Sequence, residues 1–262
     1  MFLLITVMLA LIPAGVALFF YVFTKGALML RHLRGGQRGQ TAHIYPIYSV
    51  MWLIRLVDFQ PVISAILLGQ YSRLVRLITQ ELRAMPLQGQ DVLITSCAFG
   101  NVVPEVVNAA LDSGARCVKG VDLIDNELLH AKGKLAAAAA ARTAFSIDDA
   151  TALSLPGACV AANVMFFLLH ELEPEMKRQA IAEAVRVLAP GGRFFLAEFH
   201  KPDPWALRGL SWLYFKVFEP FGLALWDVQD PVQQLSAMAG VHCTRKTVFF
   251  GNFQVIVATK LE

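Results

Sequence analysis

The stretch "VLITSCAFGN", residues 92–101, decides how this chain is read. Its first half is a short apolar run of strand type. Its second half is a turn that leads into "VVPEVVNAALDSGARCVKGVDL", a helix, a turn and a second strand. A strand, a sharp turn and a helix start normally carry small residues, so that backbone amides can approach a nucleotide-like ligand. Here Gly100 alone keeps that character, between Phe99 and Asn101. The loop is therefore a working cofactor loop, a specialised one, or a relic.

Outward from this stretch, short apolar runs alternate with helical patterns. They fall at 91–95, 103–111, 117–123, 126–141, 143–147, 160–169, 175–188 and 193–199. Such alternation predicts βαβ units and a parallel sheet covered on both faces. The run "AAAAAAR" at 136–142 is a strong helix former with little recognition content. The end, "RKTVFFGNFQVIVATKL", predicts two strands joined around Gly251-Asn252, an antiparallel finish. The segment 205–226, "WALRGLSWLYFKVFEPFGLALW", is too aromatic for a solvent loop and predicts an apolar lid or membrane-contact segment over the sheet's carboxyl edge.

Composition agrees with a partly apolar surface. The 262 residues are 56% hydrophobic and only 16% charged, with a net charge of +3 that argues against nucleic acid as a partner. The mean hydropathy is +0.53. The four cysteines (Cys97, Cys117, Cys159, Cys243) show no metal-binding spacing and read as reduced, buried thiols. Residues 2–23 carry no charge and match the length of a membrane span. A cleaved signal peptide is the rival reading, but no basic residue precedes the run and no A-x-A-like site follows it. Lys25, Arg31, Arg34 and Arg38 come next without an acidic residue among them, which predicts a single-pass inner (cytoplasmic) membrane protein, N-terminus outside and main domain cytoplasmic. Residues 45–71 are apolar and aromatic but broken by Arg55, Asp58 and Pro61, and read as two helices in the membrane interface, although a second span is open. Arg55 and Asp58 are three apart, close enough to pair on one helix face. A helical pattern runs from Val62 to Arg83. The expected organisation is an anchor at 1–24, basic juxtamembrane and interfacial helices at 25–86, and a globular domain at 87–262.

The order of elements, with "RVLAPGGRFFLAEF" at 186–199, resembles the class I S-adenosylmethionine (SAM)-dependent methyltransferases, in which a PGG turn leads into the fifth strand. Where that family has an acidic residue and G-x-G-x-G, this chain has Ile94, Ser96, Ala98 and Gly100. "SCAFGN", "MFFLLHELEPE" at 165–175, "EPFGLALW" at 219–226 and "VISAILLGQYSRLVRLITQEL" upstream look closer to one branch, the rhodoquinone-biosynthesis methyltransferase-like proteins. That branch's loop, approximately C-V-Y-G-D, already lacks the usual glycines; Phe99 stands here for its Tyr and Asn101 for its Asp. Asn101 remains a good helix N-cap residue. The resemblance runs from about residue 41 to the end. It implies an α/β, Rossmann-like seven-stranded sheet, here preceded by an N-terminal transmembrane helix. It also implies SAM at Cys97, Ala98, Phe99, Gly100, Asn101, Asp122, Leu123, Asp149 and Ala150. Asp122 lies 22 positions beyond Gly100, a spacing that independently suits ribose hydroxyls; Asp149 is placed for the adenine ring or as a helix cap.

His170, Glu171, Glu198 and His200 close two successive strands and are the candidate catalytic group. Two imidazoles and two carboxylates suit proton transfer or a divalent ion such as Mn²⁺, with His170 and Glu198 as ligands; the alternative is loop capping with Arg186 or Lys201 as partners. By resemblance, the activity is conversion of ubiquinone to rhodoquinone, a methoxy-to-amino exchange with SAM as amino donor and manganese assisting, or else a quinone methyl transfer. The implied partners are an isoprenoid quinone and the lipid bilayer. The competing class is a non-catalytic, methyltransferase-like subunit of a quinone-using membrane complex.

Overall fold

The computed structural model describes residues 50–97 and 99–261, together with Leu18, Tyr21 and Val22. The remainder of the uncharged run, the four basic residues after it, and Ala98 lie outside the described residues. Three helices come first: α1 (Met51–Val57), α2 (Gln60–Ile66) and α3 (Tyr71–Arg83). Then follow β1 (Asp91–Thr95), α4 (Val102–Asp112), β2 (Cys117–Asp122), α5 (Asp125–Gly133), α6 (Ala137–Ala140), β3 (Thr143–Ile147) and β4 (Val160–Phe166). The chain ends with α7 (Pro174–Arg186), β5 (Leu188–Phe199), α8 (Trp205–Val217), α9 (Ala224–Asp227), α10 (Pro231–Ser236), β6 (Val241–Val248) and β7 (Phe253–Lys260).

The seven strands form one sheet in the order β3-β2-β1-β4-β5-β7-β6. The pairs among β1 to β5 are parallel, and β7 runs antiparallel to both β5 and β6, as the terminal pattern predicts. Every residue of β1 and β4 is buried, because helices cover both faces of a parallel sheet. The order reverses between β1 and β4, which opens a crevice at their carboxyl ends. Across that switch point Thr95 Oγ1 donates to Asn163 Oδ1 at 2.8 Å. The PGG turn is explained by backbone crowding. A Cβ on Gly192 would stand 2.8 Å from the Ala189 carbonyl oxygen, and Gly191 has φ +76°.

The helical pattern expected from Val62 to Arg83 is broken. Leu68 (φ 51°) and Gly69 (φ +75°) end α2 in a left-handed turn, a common helix stop. Among the described residues no single helix is long and apolar enough to cross a membrane; α2 and α3 reach that apolar length only as a pair bent by 94°. The apolar face of α3 (Tyr71, Leu74, Ile78, Leu82) is buried against the α4 residues Val103, Val106 and Val107, in the same core as β1. Residues 63–85, in and beside α2 and α3, thus contribute to the core of the sheet domain. The alanine run, expected to continue one helix from 126 to 141, contributes only the single turn α6. Lys134 leaves the end of α5 to reach Gly100 and Asp58, so tertiary contacts override helix propensity there.

Tyr71 fastens α3 to the β1–α4 loop. Its hydroxyl accepts from Val102 N at 2.7 Å and donates to the Phe99 carbonyl at 3.2 Å. Asn101 holds the N-cap position of α4, but its side chain makes no capping bond and donates to Glu105 instead. Tyr71 therefore does the work expected of Asn101. Tyr71→Phe removes that partner from a buried amide, and the expected loss is about 1–2 kcal/mol of unfolding free energy in urea titration.

Candidate functional site

Backbone strain gathers at the switch point. Ser96 follows β1 with φ 73°, and Phe167 follows β4 with φ 54°. Such conformations cost energy in residues with a Cβ and cluster at ligand sites. Ser96 N donates to the Val121 carbonyl and Phe167 N to the Ala197 carbonyl, so the neighbouring strands hold both residues in place.

The described loop residues expected from the sequence, Cys97, Phe99, Gly100 and Asn101, lie between β1 and α4 beside this crevice. Cys97 is buried, and burial pushes its thiol well above the ordinary value; Cys117, Cys159 and Cys243 are only partly buried, and all four are free. Gly100 has φ +84°, and a Cβ on it would stand 2.3 Å from the Tyr71 hydroxyl, so the turn admits glycine alone. Its amide donates to Asp58 Oδ1 at 2.6 Å, and its carbonyl accepts from Lys134 Nζ at 2.6 Å. Lys134 also donates to Asp58 Oδ1 at 2.9 Å. His130 Nε2 lies 3.0 Å from Asp58 Oδ2, at ion-pair distance without hydrogen-bond alignment. Asp58 thus pairs with α5 and the loop, and not with Arg55 as its helix spacing suggests.

Asp122 ends β2 and is 8% exposed. Its Oδ2 accepts from Cys97 N at 2.8 Å and Ser96 Oγ at 3.2 Å, and its Oδ1 accepts from Ile124 N at 2.9 Å. Burial raises its pKa, partly offset by those bonds. Leu123 follows it, half-buried. Beside Asp122 stands Glu127, in the first turn of α5, 7% exposed, with Oε1 buried and unpartnered. Burial, then the neighbouring Asp122 charge, holds the Glu127 carboxyl well above the ordinary carboxylate range. The sequence reading passed over Glu127, since an acidic residue in a first helical turn is ordinarily a dipole partner. Asp149 closes a local turn, accepting from Thr151 N at 2.8 Å and Thr151 Oγ1 at 2.7 Å, with Ala150 half-buried next to it.

The four candidate catalytic residues do not converge as a set. His170, Glu171 and Glu198 come together. Glu198 is fully buried; its Oε1 lies 3.1 Å from His170 Nδ1 and accepts from Phe199 N at 2.7 Å, and its Oε2 accepts from His170 N at 3.2 Å. His170 Nε2 is 3.8 Å from Glu171 Oε1. His200 instead places Nδ1 2.7 Å from the Gly251 carbonyl and Nε2 3.3 Å from Arg245, so it braces the β6–β7 hairpin. Arg186 and Lys201, the expected capping partners, pair with Glu183 and Asp227.

Burial alone would depress the His170 imidazole, but Glu198 reverses this and holds its pKa at about 9. Lys177 on α7 is also buried; it donates to the Leu172 carbonyl and stands 5.6 Å from the centre of the Phe221 ring. Its burial presses the amine down to about 8, against the pull of Glu198, Glu173 and Glu219. Nothing in the periodicity of α7 marks this lysine. Among the described residues no group of three or more His, Cys, Asp or Glu side chains is arranged to hold a metal ion. Glu198 is engaged by His170 and two backbone amides, so the donor set does not fit manganese.

Comparisons with known proteins agree with this geometry. Residues 92–192 match the methyltransferase domain family. A ubiquinone/menaquinone biosynthesis C-methyltransferase, UbiE of Caulobacter sp. (strain K31), is 38% identical over 92 residues, 35% of this chain. That match covers 36% of the relative, so the chain spans about a third of its length. Among solved structures, the CurJ carbon methyltransferase shares 15% identity at a TM-score of 0.64, over 98% of this chain and 70% of that one. YcgJ from Bacillus subtilis shares 13% identity at 0.57, over 73% of this chain and 99% of that one. The fold is that of the class I SAM-dependent methyltransferases.

Two outcomes follow from these contacts. Asp58→Ala leaves the Gly100 amide without its acceptor and Lys134 with the Gly100 carbonyl but no carboxylate, and the expected loss is about 1–3 kcal/mol of stability in chemical denaturation. The His170 pKa is about 9 in the folded chain against an ordinary 6.5, so its stabilising contribution is complete below pH 6.5 and is lost as pH rises through about 9. Lys177, lowered to about 8 from 10.5, acts in the opposite sense above pH 8. Stability is therefore expected to fall by roughly 1–2 kcal/mol between pH 6.5 and 8, and the slope to flatten in His170→Gln, as read from thermal midpoints.

Proposed function

We propose, from the methyltransferase domain at residues 92–192, that this chain is a SAM-dependent transferase acting on an isoprenoid quinone at a membrane. The finer reading is ubiquinone to rhodoquinone, with ring methylation of a quinone as the near variant that the UbiE likeness favours. The observation that carries the proposal is the position of α8. Its inner residue Phe215 packs edge-on against Phe199 at 5.1 Å, and Phe199 against His170 at 4.9 Å. Its outer face exposes Trp205, Leu210, Trp212 and Leu213, with Lys216 beside Trp212. One helix thus touches the site and offers an apolar, aromatic surface suited to lipid and to a lipid-soluble substrate. Anchoring by residues 2–23 at the cytoplasmic membrane, with the domain on the cytoplasmic side, belongs to the same proposal.

The loop around Gly100, Asp122 and Glu127 would hold SAM, whose unpartnered acceptor at Glu127 Oε1 fits a ligand rich in hydroxyl donors. Bound there, SAM supplies the electrophilic or donor group that is transferred. At neutral pH His170 is an imidazolium fixed by Glu198, and its Nε2–H is suited to donate to a quinone carbonyl and draw charge from the ring. Phe167 and Phe199, edge-on to His170, would exclude water from that contact.

A second reading, an accessory subunit without turnover, is favoured by Asp58, which fills the Gly100 amide from within the chain. Calorimetry with SAM separates the two. Micromolar binding, loss of conversion in His170→Gln with SAM affinity kept, and a methylated or amino-substituted quinone only in cells carrying the gene are the expected results. No SAM binding by folded protein would establish the accessory reading.

A further inference from the structure

The two edges of the sheet are built differently. β6 forms one edge and β3 the other. An uncovered edge offers a row of N–H and C=O groups to any second strand, and native proteins usually guard it with charge, proline or a bulge. β6 follows that rule, since "VHCTRKTV" carries His242, Arg245 and Lys246. β3 does not. Its five residues, "TAFSI", hold no charge and no proline. Ala144 and Ser146 are exposed, and Ile147 is 62% exposed.

The register with β2 fixes which backbone groups face outward. The Arg142 carbonyl accepts from Val118 N, and Asp148 N donates to the Asp122 carbonyl, so the even positions from 142 to 148 bond inward. Alternation along a parallel ladder then turns the N–H and C=O of Thr143, Phe145 and Ile147 away from the sheet. Among the described residues no strand pairs with them.

β3 is complementary to a copy of itself run antiparallel. With Phe145 opposite the partner's Phe145, Thr143 faces the partner's Ile147, Ala144 the partner's Ser146, and Arg142 the partner's Asp148. The outward-bonding residues then meet only one another, as hydrogen-bonded pairs. The charges that flank the strand, one basic and one acidic, meet their opposites at both ends. Arg142 is exposed and donates to the Ala115 carbonyl; Asp148 accepts from Ser154 Oγ at 2.8 Å. Neither makes an ion pair among the described residues. β6, with cations and no acid, has no such complement.

We infer that the β3 edge is an interface with a second copy of this chain, paired antiparallel about a twofold axis at Phe145 so that two sheets become one. The axis of an antiparallel strand pair is perpendicular to the sheet, so both copies turn the same sheet face to the same side. α8, which packs through Phe215 into the core that α3 and α4 share, is carried to that common side in both. The inference stands apart from the reading of cofactor and substrate.

The test is sedimentation of the full-length chain in detergent micelles over a concentration series, with thermal midpoints confirming the fold of each variant. Ala144→Glu/Ser146→Glu sets like charges opposite each other twice across the twofold axis. Ala144→Glu/Ser146→Lys differs from it at one exposed position and sets opposite charges there instead. The expected result is a dimeric parent, about tenfold weaker association in the Glu/Glu variant, and association restored to the parent's level in the Glu/Lys variant. The amides of Thr143, Phe145 and Ile147 should exchange slowly with solvent only at concentrations where the dimer forms. A parent that is monomeric throughout would overturn the inference. So would equal protection of those amides at every concentration, which would show the edge covered by the chain itself. A dimer that neither variant alters, or that both weaken equally, would assign the association to another surface and overturn it too.

Discussion

The Asp58 carboxylate, seated on the Gly100 amide at 2.6 Å and on Lys134 at 2.9 Å, is the contact on which the site depends. It joins three parts of the chain: the turn after α1, the loop after β1 and the end of α5. A loop stripped of most small residues cannot be held by backbone geometry alone. Here side chains hold it, Asp58 and Lys134 on Gly100, and Tyr71 on Phe99 and Val102. The consequence is architectural. The helices before the sheet cannot be a detachable linker, because the loop's shape is partly theirs.

The same crevice concentrates ionisable groups that a core would ordinarily exclude. Asp122, Glu127, His170, Lys177, Glu198 and Glu219 are all buried. Each is tolerable only in the company of others, since an unpaired buried charge is strongly destabilising. They divide into two electrostatic zones. On the β2 side burial raises the carboxyl pKa of both Asp122 and Glu127; on the β5 side Glu198 keeps His170 charged. In the proposed reaction the first zone would recognise hydroxyls and the second would donate to a carbonyl. It also shows why manganese is not needed to organise the group. His170 and Glu198 complete each other.

Much of this was legible in the sequence. Alternating apolar runs and helical patterns gave a parallel sheet, "APGGR" marked the crowded turn within β5, and the last two runs gave the antiparallel finish, because hydrophobic period and turn chemistry are local properties. Asp122 was found from spacing, and His170, Glu171 and Glu198 from their place at strand ends, since the sheet rule converts order along the chain into position at one edge. Burial of Phe215 on α8's inner side and exposure of Trp205, Leu210, Trp212 and Leu213 on its outer side were not separable from composition.

What only the tertiary structure decided is which side chains meet across long stretches of chain. Asp58 and Gly100 are separated by 42 positions, and Thr95 and Asn163 by 68. His200 and His170 look equivalent in the sequence, yet one braces a hairpin and the other lines the crevice, because His200 follows β5 beside the β6–β7 turn and bonds to its Gly251 carbonyl, whereas His170 lies in the turn after β4 against Glu198. Glu127, Lys177 and Tyr71 carry no signal, since an acid, a lysine and a tyrosine on amphipathic helices are ordinary until the fold buries them. The sequence by itself determined the alternation of strands and helices, the parallel sheet and its antiparallel finish; the packing of helices onto that sheet determined which polar groups are left for a ligand, because burial and pairing are properties of the assembled core and not of any segment.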